Sequence, residues 1–476
     1  MRVVVVGYGM AGARVTDELL RRGAAVTVLA EEPHPAYNRI LLSSLLAADA
    51  DVALRTRPGA DLRLGVGAAS IDPSGGTVTA SDGAVISYDA LVLATGSRSW
   101  LPPVDGLDAP NAVAFRSLDD CRRIVSLASG ARRAVVLGGG LLGLEAARGL
   151  ARRGLSVEVV HAAGHLMEQQ LDPAAGAVLA RTVGELGIGV RLDAMATAWD
   201  GSRLELSDAT SLTADLLVVA CGVRPDTALA RAAGLWVATG VVVDDELRTS
   251  NERIYAIGDC AEHAGVVYGL VAPAWEQARV AAEVIAGGDA RYRGSPRVTR
   301  LKAAGVDLAV LGDPADPAAD ALTYTDSARG TYQKIAVRGG RVSGAILLGD
   351  NPTVGTVTQL FDRGTPVPAD RRALLLTGVA GAGPAVAEET PARMPDRAVV
   401  CRCNNVTKGT ITSAWLAGAR GVDAISDATR ACTGCGTCRA AVEGICDWLD
   451  ASESTGPPAA TPQGPQGPQA PHAPRD

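Results

Sequence analysis

The sequence predicts an α/β fold with two Rossmann-like nucleotide-binding domains, one inserted in the other, then a small α/β domain and a small helical domain. Three observations predict it. Apolar, strand-length runs end in glycine turns at Gly7-Tyr8-Gly9-Met10-Ala11-Gly12 and again, 131 residues on, at Gly138-Gly139-Gly140-Leu141-Leu142-Gly143. Strand-like runs follow residue 291. Near the end, Cys401-x-Cys403 and Cys435-x-x-Cys438 stand 31 residues apart.

In the first unit, Val3 to Val6 reads as a buried parallel strand. Ala13 to Arg22 reads as a helix stopped at Gly23, and Ala25 to Leu29 as a second strand ending at Glu31-Glu32. Gly7, Gly9 and Gly12 permit a tight turn that brings backbone N–H groups to a pyrophosphate at a helix N-terminus. Glu31, 19 residues beyond Gly12, is placed to accept from both ribose hydroxyls. A glycine turn without a ligand leaves Glu31 unexplained, so these four residues are candidate FAD ligands. Leu91 to Gly96 and Ile254 to Asp259 are further strands ending in small-residue turns, which adds Thr95, Gly96, Gly258 and Asp259. Asp259 would hold a ribityl hydroxyl, with a helix starting after it. Its competing role is a plain helix cap.

The second unit repeats the pattern. Arg133 to Leu137 is the strand, Leu144 to Arg153 the helix, and Ser156 to Val160 the next strand. Gly138, Gly140 and Gly143 are candidate NAD(P)H ligands; the competing reading is a duplicated fold that has lost its ligand. His161 stands 18 residues after Gly143, where the acid stood in the first unit. Ala162, Ala163 and Gly164 offer neither a carboxylate for a 2′-hydroxyl nor an Arg for a 2′-phosphate, which leaves NADH against NADPH open; the lack of an Arg cluster leans to NADH.

The expected domains are FAD-binding over 1–115 and 245–290, and NAD(P)-binding over 116–244. The small α/β domain spans 291–378, where Gly339-Gly340 separates two hairpin strands. A Gly/Pro linker covers 379–397 and the cysteine domain 398–450. The Pro/Gly/Gln/Ala-rich tail, 451–476, is expected to be disordered. Insertion of one nucleotide domain into the other faces the two cofactors, as hydride transfer between them requires.

Four thiolates, Cys401, Cys403, Cys435 and Cys438, suit a [2Fe–2S] cluster or Zn²⁺. The upstream flavin favours iron, since zinc has no redox role; an empty site is the third reading. Cys432-x-x-Cys435 is also a C-x-x-C pair. Cys446 is expected to be buried, and the isolated Cys121, Cys221 and Cys260 read as small buried hydrophobes.

Composition narrows the function. The 476 residues carry a net charge of −7 without a long basic run, which argues against nucleic acid. Met1-Arg2 leads directly into a strand rather than a leader, and no apolar stretch reaches membrane-span length. A cytoplasmic protein is expected. Nine cysteines in that setting favour ligands or free thiols over disulfides.

The chain resembles the flavin disulfide-reductase-like superfamily and, more narrowly, the flavoprotein half of NAD(P)H-dependent nitrite reductases and the electron-transfer subunits of assimilatory nitrate reductases. Val5 to Arg14, Glu31 to Ser44, Leu166 to Asp172, Cys401 to Thr407 and Thr433 to Cys438 carry the resemblance. It implies that Arg39 and Arg116 help to hold the flavin and that Glu145 lies near the nicotinamide. It makes 291–378 a rubredoxin-reductase-like domain, in which Lys302 is a matching position with no assigned role. It makes 398–450 similar to bacterioferritin-associated-ferredoxin [2Fe–2S] domains, whose spacing selects Cys435 and Cys438 and leaves Cys432 as a spare or an alternative ligand. Two departures matter. Tyr37 to Ala48 holds no Cys, so a thiol relay is not expected. The chain lacks a sirohaem half, so it is not expected to reduce nitrite by itself.

The function expected is an NAD(P)H-dependent FAD oxidoreductase that passes electrons through a [2Fe–2S] cluster to a nitrate or nitrite reductase protein or a small electron carrier. The hydride step needs position and dryness rather than an acid or base, so no catalytic residue is assigned. The alternatives are a stand-alone rubredoxin or ferredoxin reductase, an NAD(P)H oxidase, and a redox- or iron-sensing flavoprotein. Oligomeric state stays open, a homodimer included.

Overall fold

The computed structural model describes residues 1–301, 303, 305–376, 391–392, 394–401, 406–432 and 438–454. They divide into two compact units, one holding 1–376 and the other the residues from 391 onward.

In the first unit, two five-stranded parallel sheets share one plan. Arg2–Val6 lies at the centre of the first, between Ala25–Ala30 and Ala90–Leu93, with Asp61–Leu64 and Ile254–Ala256 outside. Arg133–Leu137 lies at the centre of the second, between Ser156–Val160 and Leu216–Val219, with Ile188–Arg191 and Ala112–Ala114 outside. Val3 to Val6 and Ala134 to Leu137 are buried, as central parallel strands covered on both faces must be. In each sheet the strand order reverses beside the central strand, which opens a crevice at the carboxyl ends of the strands.

The helices after the glycine turns run Met10–Arg21 and Leu141–Arg152, each starting three residues earlier than the sequence predicts. Gly9 and Gly140 are the N-caps, so the residues between the glycines already form the first helical turn. Ser97–Ser99 pairs antiparallel with Val223–Pro225, a short ribbon joining the two parallel-sheet regions.

The third region is an antiparallel sheet in the order Val298–Leu301, Leu308–Gly312, Arg341–Leu348, Thr331–Arg338, Asp320–Asp326. Gly339 and Gly340 both take positive φ in the hairpin. One sheet face, with Leu308, Val310, Tyr332 and Ile346, shares an apolar cluster with Val178 and Leu179 of the helix Pro173–Glu185. Asp172 caps that helix through the Ala175 amide, 3.0 Å away. It also accepts from Tyr332 (2.8 Å) and Lys334 (3.0 Å).

The second unit has helices Lys408–Leu416, Gly421–Thr429 and Arg439–Ser454 and a paired Val399–Cys401 and Val406–Thr407. Ile411, Trp415, Ile425, Val442 and Ile445 form an apolar core, so metal is not the sole organiser of this small domain. The last helix continues through Ser454, past the expected start of the tail at 451. Glu453 explains the extension: its carboxylate accepts from Trp415 Nε1 (3.0 Å) and Arg420 (2.9 Å). Lys302, Cys403, Cys435, residues 379–390 of the linker and the tail from 455 lie outside the described residues. No described helix is long and apolar enough to cross a membrane.

Candidate functional site: two glycine turns and a cysteine cluster

Both glycine turns are closed so tightly that a side chain would collide. Gly7 has φ +98°, and a Cβ on it would lie 2.3 Å from the Ala94 carbonyl oxygen. A Cβ on Gly12 would lie 1.9 Å from Gly7 O. The helix Met10–Arg21 has no side-chain cap hydrogen bond, so its first-turn N–H groups and its dipole face the crevice. Arg39 comes to this turn: its Nε lies 3.7 Å from where a Gly9 Cβ would stand. An ion pair with Glu32 and the Tyr37 ring, 5.2 Å from the guanidinium, hold it there. Tyr37 in turn donates to Glu32 (2.7 Å), and burial raises its hydroxyl pKa. Glu31 follows its strand with 75% of its side chain exposed, and Arg98 is 3.4 Å away.

Arg116, Ser97 and Asp259 form one network. Arg116 Nη2 donates to Asp259 Oδ2 (2.7 Å) and Ser97 Oγ (2.5 Å), and Ser97 Oγ donates to Asp259 Oδ2 (3.0 Å). Arg116 Nε is buried without a hydrogen-bond partner, an orphaned donor beside the crevice. Asp259 caps no helix. Gly258–Cys260 is a single 3₁₀ turn, Ala261–His263 is extended, and the helix begins only at Val271. The expected helix start behind Asp259 is therefore replaced by a strand, and the carboxylate is anchored by Arg116 instead. Thr95 and Gly96 face the ribbon between the regions: Thr95 Oγ1 donates to Asp226 O (2.7 Å), and the Asp226 amide donates to Gly96 O (2.9 Å). The glycine cradle, the orphaned Arg116 donor and the adjacent carboxylate fit the pyrophosphate and polyol of FAD.

The second turn matches the first. Gly138 has φ +115° with a would-be Cβ 2.4 Å from Ala220 O, and a Cβ on Gly143 would lie 1.9 Å from Gly138 O. The helix Leu141–Arg152 has no side-chain cap at Gly140, so its N-terminus suits a second pyrophosphate. Glu145, in the first turns of this helix, is only 6% exposed. It lines a cleft of about 700 Å³ together with Ser43, Ser44, Arg148 and Ala303. His161 is buried; its Nδ1 accepts from the Gly139 amide (3.1 Å) and its Nε2 meets Glu168 Oε2 at 3.0 Å. Sequence reasoning missed Ser97 and Glu168. Neither falls at a diagnostic spacing, although Glu168 lies inside the Leu166–Asp172 stretch that carries the resemblance.

In the second unit Cys401 and Cys438 are buried in one apolar cluster, with Cys432 beside them. The Cys438 and Cys432 sulfurs are 3.6 Å apart, and the Cys432 amide donates to Cys438 Sγ at 3.3 Å. Cys432 has φ +65°, and this left-handed residue aims its N–H at the sulfur. The Cys438 thiol pKa is pushed up to about 11: a bond with Cys401 lowers it, but the bond with Cys432 and burial outweigh that. The Cys432 thiol is lowered by its bond with Cys438. Cys432, spare by spacing, is thus brought into the thiol cluster, and Cys446 is buried as expected. Among the described residues no group of three or more His, Cys, Asp or Glu could hold a metal ion, and Cys403 and Cys435 of the expected set lie outside them; thiols are the donor chemistry an iron–sulfur group takes.

Three family models match the chain: pyridine nucleotide-disulphide oxidoreductase over residues 1–283, the rubredoxin NAD⁺ reductase C-terminal domain over 298–365, and the BFD-like [2Fe–2S] binding domain over 399–448. The nitrite reductase [NAD(P)H] large subunit of Klebsiella oxytoca is 37% identical over 472 residues, 95% of this chain and 49% of that protein. The assimilatory nitrate reductase electron transfer subunit of Bacillus subtilis is 34% identical over 479 residues, 97% of this chain and 61% of that protein. The chain therefore spans about half to three-fifths of the length of these relatives. Among solved structures, the covalent putidaredoxin reductase–putidaredoxin complex matches with a TM-score of 0.72 at 26% identity, covering 79% of this chain and 95% of that one. The cofactors of the present chain are FAD and NAD(P)H, with a [2Fe–2S] cluster for the C-terminal domain. The chain belongs to the pyridine nucleotide-disulphide oxidoreductase family and adds to it a BFD-like [2Fe–2S] binding domain.

Proposed function

We propose that the chain carries electrons from NAD(P)H to a separate nitrate or nitrite reductase protein in the cytoplasm. The observation that carries this reading is one glycine turn built twice in one compact unit, upstream of a domain that gathers its thiols. Two turns suit two nucleotides, and the thiols suit a one-electron carrier. The two relatives described above support the choice of acceptor.

FAD and a [2Fe–2S] cluster, when bound, would supply the conversion of a two-electron hydride into single electrons. The chain's own residues bind, orient and exclude water. Residues 1–115 and 245–290 form the FAD domain: Gly7, Gly9, Gly12 and Arg39 take the pyrophosphate, Glu31 the ribose, and Arg116 with Asp259 the flavin polyol, beside Thr95, Gly96 and Gly258. Residues 116–244 form the NAD(P) domain, in which Gly138, Gly140 and Gly143 take the second pyrophosphate. Buried Glu145 stands beside the nicotinamide. Cys401, Cys403, Cys435 and Cys438 hold the cluster. Tyr37 to Ala48, the stretch in which a thiol relay would carry its cysteines, holds none.

Cys435→Ser tests the route. The variant keeps its flavin spectrum and NAD(P)H-driven ferricyanide reduction, and loses reduction of a purified nitrate or nitrite reductase. Loss of both activities overturns the route. So does a wild-type protein that contains zinc and no iron yet still reduces its acceptor. Oxygen consumption equal to NAD(P)H consumption without a partner identifies an oxidase instead.

A further inference from the structure

We infer that Glu168 is the specificity-determining residue of the nicotinamide site and makes NADH the reductant. This deepens the reading above and rests on it. The sequence places no acid after the strand Ser156–Val160, the position from which a carboxylate holds the adenosine 2′-hydroxyl in dinucleotide sites. The tertiary structure brings one there by a different path. His161 occupies the position and turns its ring back onto the glycine turn. A Cβ on Gly139 would lie 2.8 Å from His161 Cγ, so this glycine makes room for the imidazole. Nδ1 accepts from the Gly139 amide, which leaves Nε2 to donate to Glu168.

The segment that carries Glu168 is stitched to the same turn. The Met167 amide donates to the Gly139 carbonyl at 3.0 Å. Met167 is fully buried with φ +53°, a conformation that a non-glycine residue keeps only when its surroundings hold it. The His161 backbone is pinned from the other side: its amide donates to Arg191 O (2.8 Å), and its carbonyl accepts from the Ala194 amide (3.0 Å). Both groups of Gly139 are therefore spent on fixing the Glu168 segment, and the first-turn N–H groups of Leu141–Arg152 are left to the pyrophosphate.

Glu168 keeps 36% of its side chain exposed while one oxygen meets His161. Its other oxygen accepts from an adenosine 2′-hydroxyl. A 2′-phosphate at the same place meets a carboxylate, and like charges repel. Arg191, the cation at the end of the neighbouring strand, is held by Glu158. Glu168 acts on the ribose directly, and His161 is a positioning residue.

The test uses the full holoprotein with ferricyanide as acceptor, so that the cluster plays no part. Steady-state kcat and KM are measured with NADH and NADPH, and calorimetry measures binding of ADP-ribose and its 2′-phosphate. Wild type favours NADH roughly tenfold or more, mostly in KM, as expected for one charge-assisted hydrogen bond exchanged for a repulsion. Glu168→Gln narrows the ratio, and Glu168→Arg inverts it. His161→Asn, whose amide oxygen can still accept from Gly139, loses discrimination while kcat holds. An unchanged flavin spectrum shows that each variant is folded. Equal binding of the two nucleotides by wild type, or a ratio that Glu168→Arg does not move, overturns the inference alone. If neither nucleotide binds, the proposed function falls with it.

Discussion

The first and second glycine turns have nearly the same backbone and different strand ends. Gly7 and Gly138 both take positive φ, Gly12 and Gly143 both leave 1.9 Å for a Cβ, and each turn opens a helix of twelve residues. After the strand, the first turn offers a largely exposed Glu31, whereas the second buries His161 and reaches a carboxylate through Glu168. On the proposed reading, the glycines set where a pyrophosphate sits, and the strand end with whatever folds back onto it sets which nucleotide follows.

Valine at the equivalent first glycines breaks this comparison most strongly. Gly7→Val yields protein without the absorbance of bound flavin. Gly138→Val keeps that absorbance and loses NADH-driven ferricyanide reduction on the order of 10²-fold, the scale of a misplaced reactant. Loss of flavin from Gly138→Val would show that the two turns do not bind separately.

A smaller effect separates buried from exposed polar groups of the flavin crevice. Arg116→Ala weakens flavin binding by about 1.5–3 kcal/mol, because the charge-assisted bonds around Asp259 are lost. Glu31→Gln costs about 0–1 kcal/mol, since the side chain is mostly in water. Flavin dissociation constants from ultrafiltration check both.

Thiol reactivity distinguishes the units next. Burial drives the Cys121 and Cys221 pKa values up to about 11 and raises that of Cys260. Iodoacetamide at pH 7.5 therefore leaves these three unmodified in the native protein, by peptide mass spectrometry, and labels Cys432, whose thiol pKa is lowered, ahead of the buried Cys438 and Cys446 once the cluster is removed.

The smallest effect concerns the brace that the third region gives to the second sheet. Burial raises the Asp172 carboxyl pKa, but the Ala175 amide, Lys334 and Tyr332 outweigh it and hold the value below the usual range. A carboxylate depressed in the folded state stabilises above its unfolded value near 4 and loses that contribution as pH falls through its folded value. Asp172→Asn therefore lowers stability by about 1 kcal/mol at neutral pH, allowing for solvent screening, and the gap closes in acid. Thermal melts between pH 3 and 7 measure it.

Much of the fold was legible because glycines between an apolar strand and an amphipathic helix have few other structures open to them. Both helices start three residues earlier than the sequence predicts because the segments between the glycines show no apolar period of their own, although they already turn as helix. The competing cap reading of Asp259 falls because a strand follows it, and its carboxylate is held by Arg116, 143 residues away. The second unit's apolar core is not legible in the sequence, since Trp415, Ile425 and Ile445 show their partnership only when three helices close on one another.

The amino-acid order alone determined the two nucleotide turns, the hairpin at Gly339-Gly340 and the cysteine spacing, because each depends on local backbone geometry or short-range ligand reach. Tertiary structure decided the Arg116–Ser97–Asp259 network, the approach of Cys432 to Cys438 and the delivery of Glu168 by His161. Those contacts join side chains from different strands, helices and loops. Their formation depends on how the elements pack, which no periodicity in the chain encodes.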